Sequence, residues 1–380
     1  MFIPVFLLLI GTTGCGGGNK PSAEELITVD VTADYPEKDL ILQDFMEVEY
    51  VPLETTDEFI TQGVVEAVGE QILLVRNWRT GDILIFDRTG KGLRKVNRRG
   101  QSGEEYSQLT GMILDEDRRE MFVIDYPARK IAVYDLEGNF QRSFPFADTS
   151  YYYYIFNYDP DHLMVYKGYS PTVDAEQSGH LLISKQDGSI RREIPIPFKE
   201  IATPVILKGE ISVTPRFYLT MPAEQDWLIT RSSSDTIYRC LTDATIRPFM
   251  VQTPSIHAMD QPVFLFPGVI ASDRYYFLQT MQKEVDFDTM KGFPTNDLVY
   301  DKQAGALFQC TVYNADFSNQ EPVSLSSTPL NQEIATCQTL HAPDLVEAYG
   351  KGELKGRLKE IAATLDEESN PVIMLVKYKK

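Results

Sequence analysis

The chain has 380 residues, 43% of them hydrophobic and 24% charged, a balance that excludes disorder, collagen and coiled coil as overall descriptions. Its 36 Lys and Arg stand against 55 Asp and Glu, for a net charge of -19. No nucleic-acid partner is expected, because affinity for a phosphate backbone comes largely from basic contacts. In chain order, the first feature is the apolar run Phe2 to Ile10, nine residues long. It is too short for a spanning helix, which needs about 20 residues, and it suits the core of a signal peptide.

Small residues Thr12, Thr13 and Gly14 stand immediately before Cys15. This arrangement resembles the lipobox of bacterial lipoproteins. The resemblance implies that residues 1–14 are a signal peptide and that Cys15 is acylated, becomes the new N-terminus and ties the protein to a membrane. The other reading is an ordinary secretory signal cleaved near Gly18. Residues 15–25 are rich in Gly, Pro and acids and predict a flexible tether, leaving residues 26–380 as the folded body. The remaining cysteines, Cys240, Cys310 and Cys337, form an odd set without CxxC spacing. Neither a disulfide framework nor a zinc site follows; one bridged pair and buried free thiols both fit.

The body is built on a recurring hairpin. Ile83 to Val96 and Ile131 to Phe144 each show an alternating apolar run with an aromatic residue, Asp, two residues, Gly and a second run, the pattern of two strands around a tight turn. Looser copies are Leu181 to Glu193, Thr236 to Arg247 and Leu298 to Gln309. Aligning Phe86, Tyr134, Ile183, Tyr238 and Tyr300 gives steps of 48, 49, 55 and 62 residues, near the spacing of about 40 to 50 expected of propeller blades.

Between the first two copies, Gly100, Gly103 and Tyr106 precede three short strands, Met112 to Asp115, Met121 to Asp125 and Ile131 to Asp135. This stretch resembles an NHL-type propeller repeat, with four strands per blade. Asp125 and Asp135 stand at strand ends, where a carboxylate fixes a turn through backbone N–H groups. The ends of the body, Val48 to Thr56 (VEYVPLETT) and Asn370 to Tyr378 (NPVIMLVKY), resemble the six-bladed propeller lipoproteins of Bacteroidales bacteria. That resemblance implies an all-β, six-bladed β-propeller whose last blade is closed by N- and C-terminal strands. It also implies a cell-envelope location, on the outer membrane, with a role beside nutrient uptake. One helix interrupts the β pattern: Leu354, Leu358, Ile361, Ala362 and Leu365 recur at helical spacing between Pro343 and Asp366, predicting an apolar stripe packed on the propeller.

Chemistry is sparse. His162, His180, His257 and His341 are isolated, and neither a G-x-S-x-G elbow nor an H-E-x-x-H pair occurs, so no catalytic residue, metal ligand or cofactor is assigned. Glu284, Asp286 and Asp288 alternate as in a calcium loop, but Met290 and Lys291 interrupt the pattern and a solvated insertion loop is expected. The aromatic run Tyr151 to Tyr154 predicts packing between blades. The candidate ligand site is drawn instead from where positive charge falls. Successive strands of a blade are antiparallel, so the turn joining strands two and three emerges on the same face as the connection to the next blade. In the first two blades these hold Trp78, Arg79, Arg98, Arg99, Tyr106, Tyr126, Arg129 and Lys130. Arginine forks suit carboxylates and phosphates, and aromatic rings can stack on a ligand. The expectation is an envelope-anchored binding module for a polar or anionic small ligand, a glycan or an envelope protein. Two alternatives stay open: a propeller enzyme, as a metal-dependent lactonase or lyase or a glycan-cleaving protein, and an interaction scaffold without a small ligand.

Overall fold

The computed structural model describes residues 26–147, 151–168, 178–223, 225–289, 291–324 and 328–379. The expected signal peptide, Cys15 and the expected tether lie outside these residues. Six sheets stand around a central axis. Blades 1 to 3 each read in chain order from the inside outward. Blade 1 is Val64–Val68, Ile72–Asn77, Asp82–Asp87 and Gly92–Val96; blade 2 is Gly111–Asp115, Glu120–Asp125, Lys130–Asp135 and Phe140–Pro145; blade 3 is Tyr151–Asn157, His162–Gly168, Gly179–Ser184 and Ile190–Ile194. Blade 4 follows with Thr220–Pro222, Trp227–Ile229, Thr236–Cys240 and Ile246–Thr253, and blade 5 with Val263–Ala271, Tyr275–Gln282, Thr295–Asp301 and Ala306–Tyr313.

Every predicted hairpin is the outer half of a blade, its third and fourth strands. In four of them the pairing register shifts at the aligned position, Phe86, Tyr134, Ile183 or Tyr238. The repeat therefore includes a bulge, which strengthens strand twist. Asp87, Asp135 and Asp301 close their third strands by accepting backbone N–H groups of the next turn. Alternation explains why blades stack. Ile83 and Ile85 are buried with Met112, Val123 and Ala132 of blade 2, whereas Leu84 and Phe86 from the same strand are buried with Val51, Ile373 and Leu375 of blade 6. Each such side chain contributes roughly 1.5 to 3 kcal/mol on burial.

Blade 6 closes the ring as the terminal segments predict. Met46–Pro52 pairs antiparallel with Val372–Tyr378, which pairs with Ile334–Leu340. Inside them runs a short irregular stretch, where Pro329 bridges Thr336 and the Leu330 N–H donates to Ala335. Two further N-terminal strands extend this closure. Ile27–Asp30 adds in parallel to the outer edge of blade 4, and Glu37–Ile41 adds in parallel to that of blade 5. A one-turn helix, Leu42–Phe45, leads from there into the closing strand. Residues 27–52 thus form a belt over three consecutive blades.

The apolar stripe between Pro343 and Asp366 belongs to two helices, Ala342–Gly350 and Gly356–Ala362, where the sequence predicts one. The break is a glycine terminus: Gly352 takes φ 73°, its N–H bonds Tyr349 and that of Glu353 bonds Ala348, the paired bonds of a left-handed helix cap. Leu354, Leu358, Ile361 and Ala362 are buried with Val372 and Tyr50, so the stripe faces the propeller as expected.

Candidate functional site

The two ends of the channel differ in chemistry. The front face carries the turns between strands two and three and the blade-to-blade connections; the back face carries the turns between strands one and two. On the front, the turn Asn77–Asp82 is pinned from several sides. The Gly81 N–H donates to Asn77, and the Thr80 hydroxyl donates to Asp82 at 2.6 Å. The Asn77 amide donates to the Ile60 carbonyl, and Arg99 Nη1 donates to the Arg79 carbonyl at 3.0 Å. This rigid turn leaves Trp78 53% exposed, with the Arg79 guanidinium 5.2 Å from its ring centre. The other tryptophan, Trp227, is buried.

The remaining predicted rim residues divide into two groups. Arg129 lies 4.9 Å over the ring of Tyr151, beside Tyr126. Tyr126 contacts Tyr151 and Tyr153 at 6.4 and 6.2 Å and donates its hydroxyl to the Tyr153 carbonyl. Burial raises the Tyr126 and Tyr153 hydroxyls above the ordinary tyrosine range. Tyr151 and Tyr153 pack between elements as expected, their rings 6.3 Å apart and both half-buried. Arg98, Tyr106 and Lys130 instead hold loops. Arg98 Nε donates to the Gly138 carbonyl at 2.7 Å, and Lys130 Nζ donates to the Glu105 carbonyl at 2.6 Å. Tyr106 is fully buried, donates to the Gly81 carbonyl and accepts the Arg98 N–H. Its exposure could not be read from the loop, because Tyr134 packs on its ring edge from the next strand system. The structure therefore brings together Trp78, Arg79 and Arg99 in one cluster and Tyr126, Arg129 and Tyr151 in another.

Three front-face residues absent from the sequence reading form a bridge across the channel. Arg216 Nη2 donates to the Thr328 hydroxyl at 2.7 Å and its Nε to the Tyr218 hydroxyl at 2.8 Å. This links the entry of blade 4 to the inner stretch of blade 6. The insertion carrying Glu284, Asp286 and Asp288 is an exposed hairpin, Val285–Asp286 paired with Lys291–Gly292, in which Asp286 accepts the Asp288 N–H. Among the described residues, no three His, Cys, Asp or Glu side chains come together as a metal site. Cys240, Cys310 and Cys337 are free thiols, each pushed up to about 12 by burial.

The back face carries bases, Arg118, Arg119 and Arg274, in two of its inner turns, and acids in all of them. The turn after every first strand carries a carboxylate: Glu70, Glu116, Asp159, Asp226, Asp273 and Glu333. A cavity of about 390 Å³ opens here among blades 1, 2, 3 and 6. Its lining begins at Glu66, Ile113 and Phe156, part way along three inner strands. Glu66 sits 2.6 Å from Arg76; burial raises its carboxyl even beside that guanidinium. Asp115 is paired at 2.7 Å with Lys185, both nearly inaccessible to solvent. An aligned repeat carries the signal for this ring, an acid just after each inner strand, though only once the blade boundaries are known.

A family model described as "Domain of unknown function (DUF4934)" matches residues 26–377. Among solved structures, a protein of Bacteroides fragilis whose name calls it exported aligns with TM-score 0.60 at 14% identity, covering 94% of this chain and all of that one. A DUF4221-family member from Bacteroides vulgatus aligns with TM-score 0.45 at 12% identity, over 88% and 98% of the two chains. An inactive virginiamycin B lyase of Staphylococcus aureus aligns with TM-score 0.40 at 11% identity, over 87% and 99%. At these identities the likeness is one of fold. No curated protein matches.

Proposed function

From the premise that the chain belongs to the DUF4934 family, we propose that it is an exported, lipid-anchored propeller of the cell envelope that binds an anionic small ligand on its front face. The observation that carries this reading is the pair of guanidinium groups held over aromatic rings, Arg79 on Trp78 and Arg129 on Tyr151. A cation stacked on a ring, on a pinned turn, offers charge and a flat surface together, and its geometry is set before a ligand arrives. An acidic protein gains little solubility from such a rim. Export is supported by the apolar run before Cys15 and by the exported Bacteroides fragilis protein of like fold. Acylation at Cys15, the outer-membrane location, the NHL character of the repeats and a place beside nutrient uptake belong to the same proposal.

Thermal unfolding of the chain from Ala23 onward, against organic acids, acidic and neutral glycans, peptides and metals, tests it. Anionic compounds are expected to raise Tm in a concentration-dependent way, and Arg79→Ala with Arg129→Ala to reduce the rise. Shifts from neutral or cationic compounds alone would count against the rim. In the full chain, Cys15→Ala should move the protein from the membrane to the soluble fraction; unchanged partition would remove the anchor.

A further inference from the structure

We infer that the back-face cavity is a second binding site, selective for small molecules that carry protonated amines. This inference is independent of the front-face reading. It starts from an open recess of about 390 Å³, within the range of small-ligand sites, lined by four blades. The other side of the channel is bridged on the front by Arg216, Tyr218 and Thr328 and near the back by Gln332, whose amide donates to the Asp226 carbonyl. The space is therefore an off-axis recess with a mixed wall, including Phe156, Tyr158, Asn157 and Asn331.

The charge of that wall selects the ligand. Arg76 and Lys185 are spent on Glu66 and Asp115, so those two pairs are close to neutral. Glu70, Glu116, Asp117 and Glu333 also line the recess, and among the described residues no Lys or Arg pairs with them. Glu116 accepts the N–H groups of Glu70, Gln71 and Ile72 at 2.5 to 3.0 Å, bonds that orient it without supplying a counter-charge. Low-dielectric walls focus such a field into the cavity. An anionic ligand is repelled there. A bare metal ion finds no three-carboxylate cluster among the described residues, whereas a ligand with spaced ammonium or hydroxyl groups can meet carboxylates set apart around a recess.

Calorimetric titration of the chain from Ala23 onward at low ionic strength tests this, using spermidine and glucosamine against N-acetylglucosamine, glucose and calcium chloride. Spermidine and glucosamine should bind, and the acetylated sugar, which lacks the charge, should bind at least about tenfold more weakly. Asp117→Asn with Glu333→Gln, both exposed, should weaken amine binding by about tenfold, while Glu116 stays in place because it caps the turn of blade 1. Glu284→Gln with Asp288→Asn, on the front hairpin, should change nothing. Equal binding of the acetylated sugar, insensitivity to the back-face pair, equal loss from the front-face pair, or binding of calcium without amines would each overturn the inference.

Discussion

Tyr106 and Asp125 illustrate how unevenly single residues could be read. Asp125 stands where a strand ends, and its carboxylate accepts the Ser107 N–H at 2.6 Å and the Ala128 N–H at 3.2 Å, the turn-fixing role its position predicts. Tyr106 looked like a rim residue because its loop is polar and glycine-rich, yet its ring is buried and its hydroxyl, pushed up to about 12 by burial, joins two loops. Tyr106→Phe removes one donor to the Gly81 carbonyl and one acceptor for the Arg98 N–H. A loss of about 1 to 3 kcal/mol is expected, since buried groups are left unpaired. Urea unfolding measures it, and an unchanged midpoint would mean that water replaces the hydroxyl.

The elements whose partners lie close in sequence were the legible ones. All five hairpins were found because their turns and alternation are local, whereas the parallel strands Ile27–Asp30 and Glu37–Ile41 pair with residues more than 200 positions away. Nothing in either short segment names its partner. The second belt strand is held by Lys38, whose Nζ lies 2.5 Å from Asp301. Burial raises the Asp301 carboxyl, but Lys38, the Gln303 N–H and Arg274 outweigh it and bring it to about 2. A depressed carboxyl stabilises the fold above its unfolded value near 3.8, and that contribution disappears as pH falls through about 2. Protection of residues 37–41 against hydrogen exchange, taken relative to the intrinsic rate at each pH, should therefore fall between pH 4 and 2 in the native protein and lose this pH dependence in Asp301→Asn. Protection that is constant across this window in the native protein would sink the assignment.

At the scale of the whole molecule, closure and covering are separate jobs of one N-terminal segment. A chain beginning at Leu42 keeps the buried Leu42 and Met46–Pro52 and should fold as a monomer with a lowered Tm, since it loses only the fifth, parallel strands added to blades 4 and 5. A chain beginning at Thr55 also loses the closing strand, leaving Val372–Tyr378 as a bare apolar edge. It should aggregate or unfold, because an exposed strand of this kind pairs with other chains. Light scattering and circular dichroism separate the two outcomes, and a stable monomer from Thr55 would contradict the closure. The same scale holds the polarity of the ring, with stacked arginines on one face and a carboxylate from each first turn on the other.

The sequence by itself determined the repeating hairpins, their blade-like spacing and the inward face of the helical stripe, because these are written in local periodicity and in turn chemistry that repeats along the chain. The sixth blade and its closing pair of termini followed from the resemblance of the terminal segments to six-bladed propeller lipoproteins. Only the tertiary structure decided which rim residues face solvent, where the belt strands lie, that the channel is bridged from blade 4 to blade 6 and that the acids gather around a recess. These depend on which blades become neighbours and how far each inner strand reaches toward the axis. Such distances are set by packing between segments remote in sequence, and no pattern within one segment carries them.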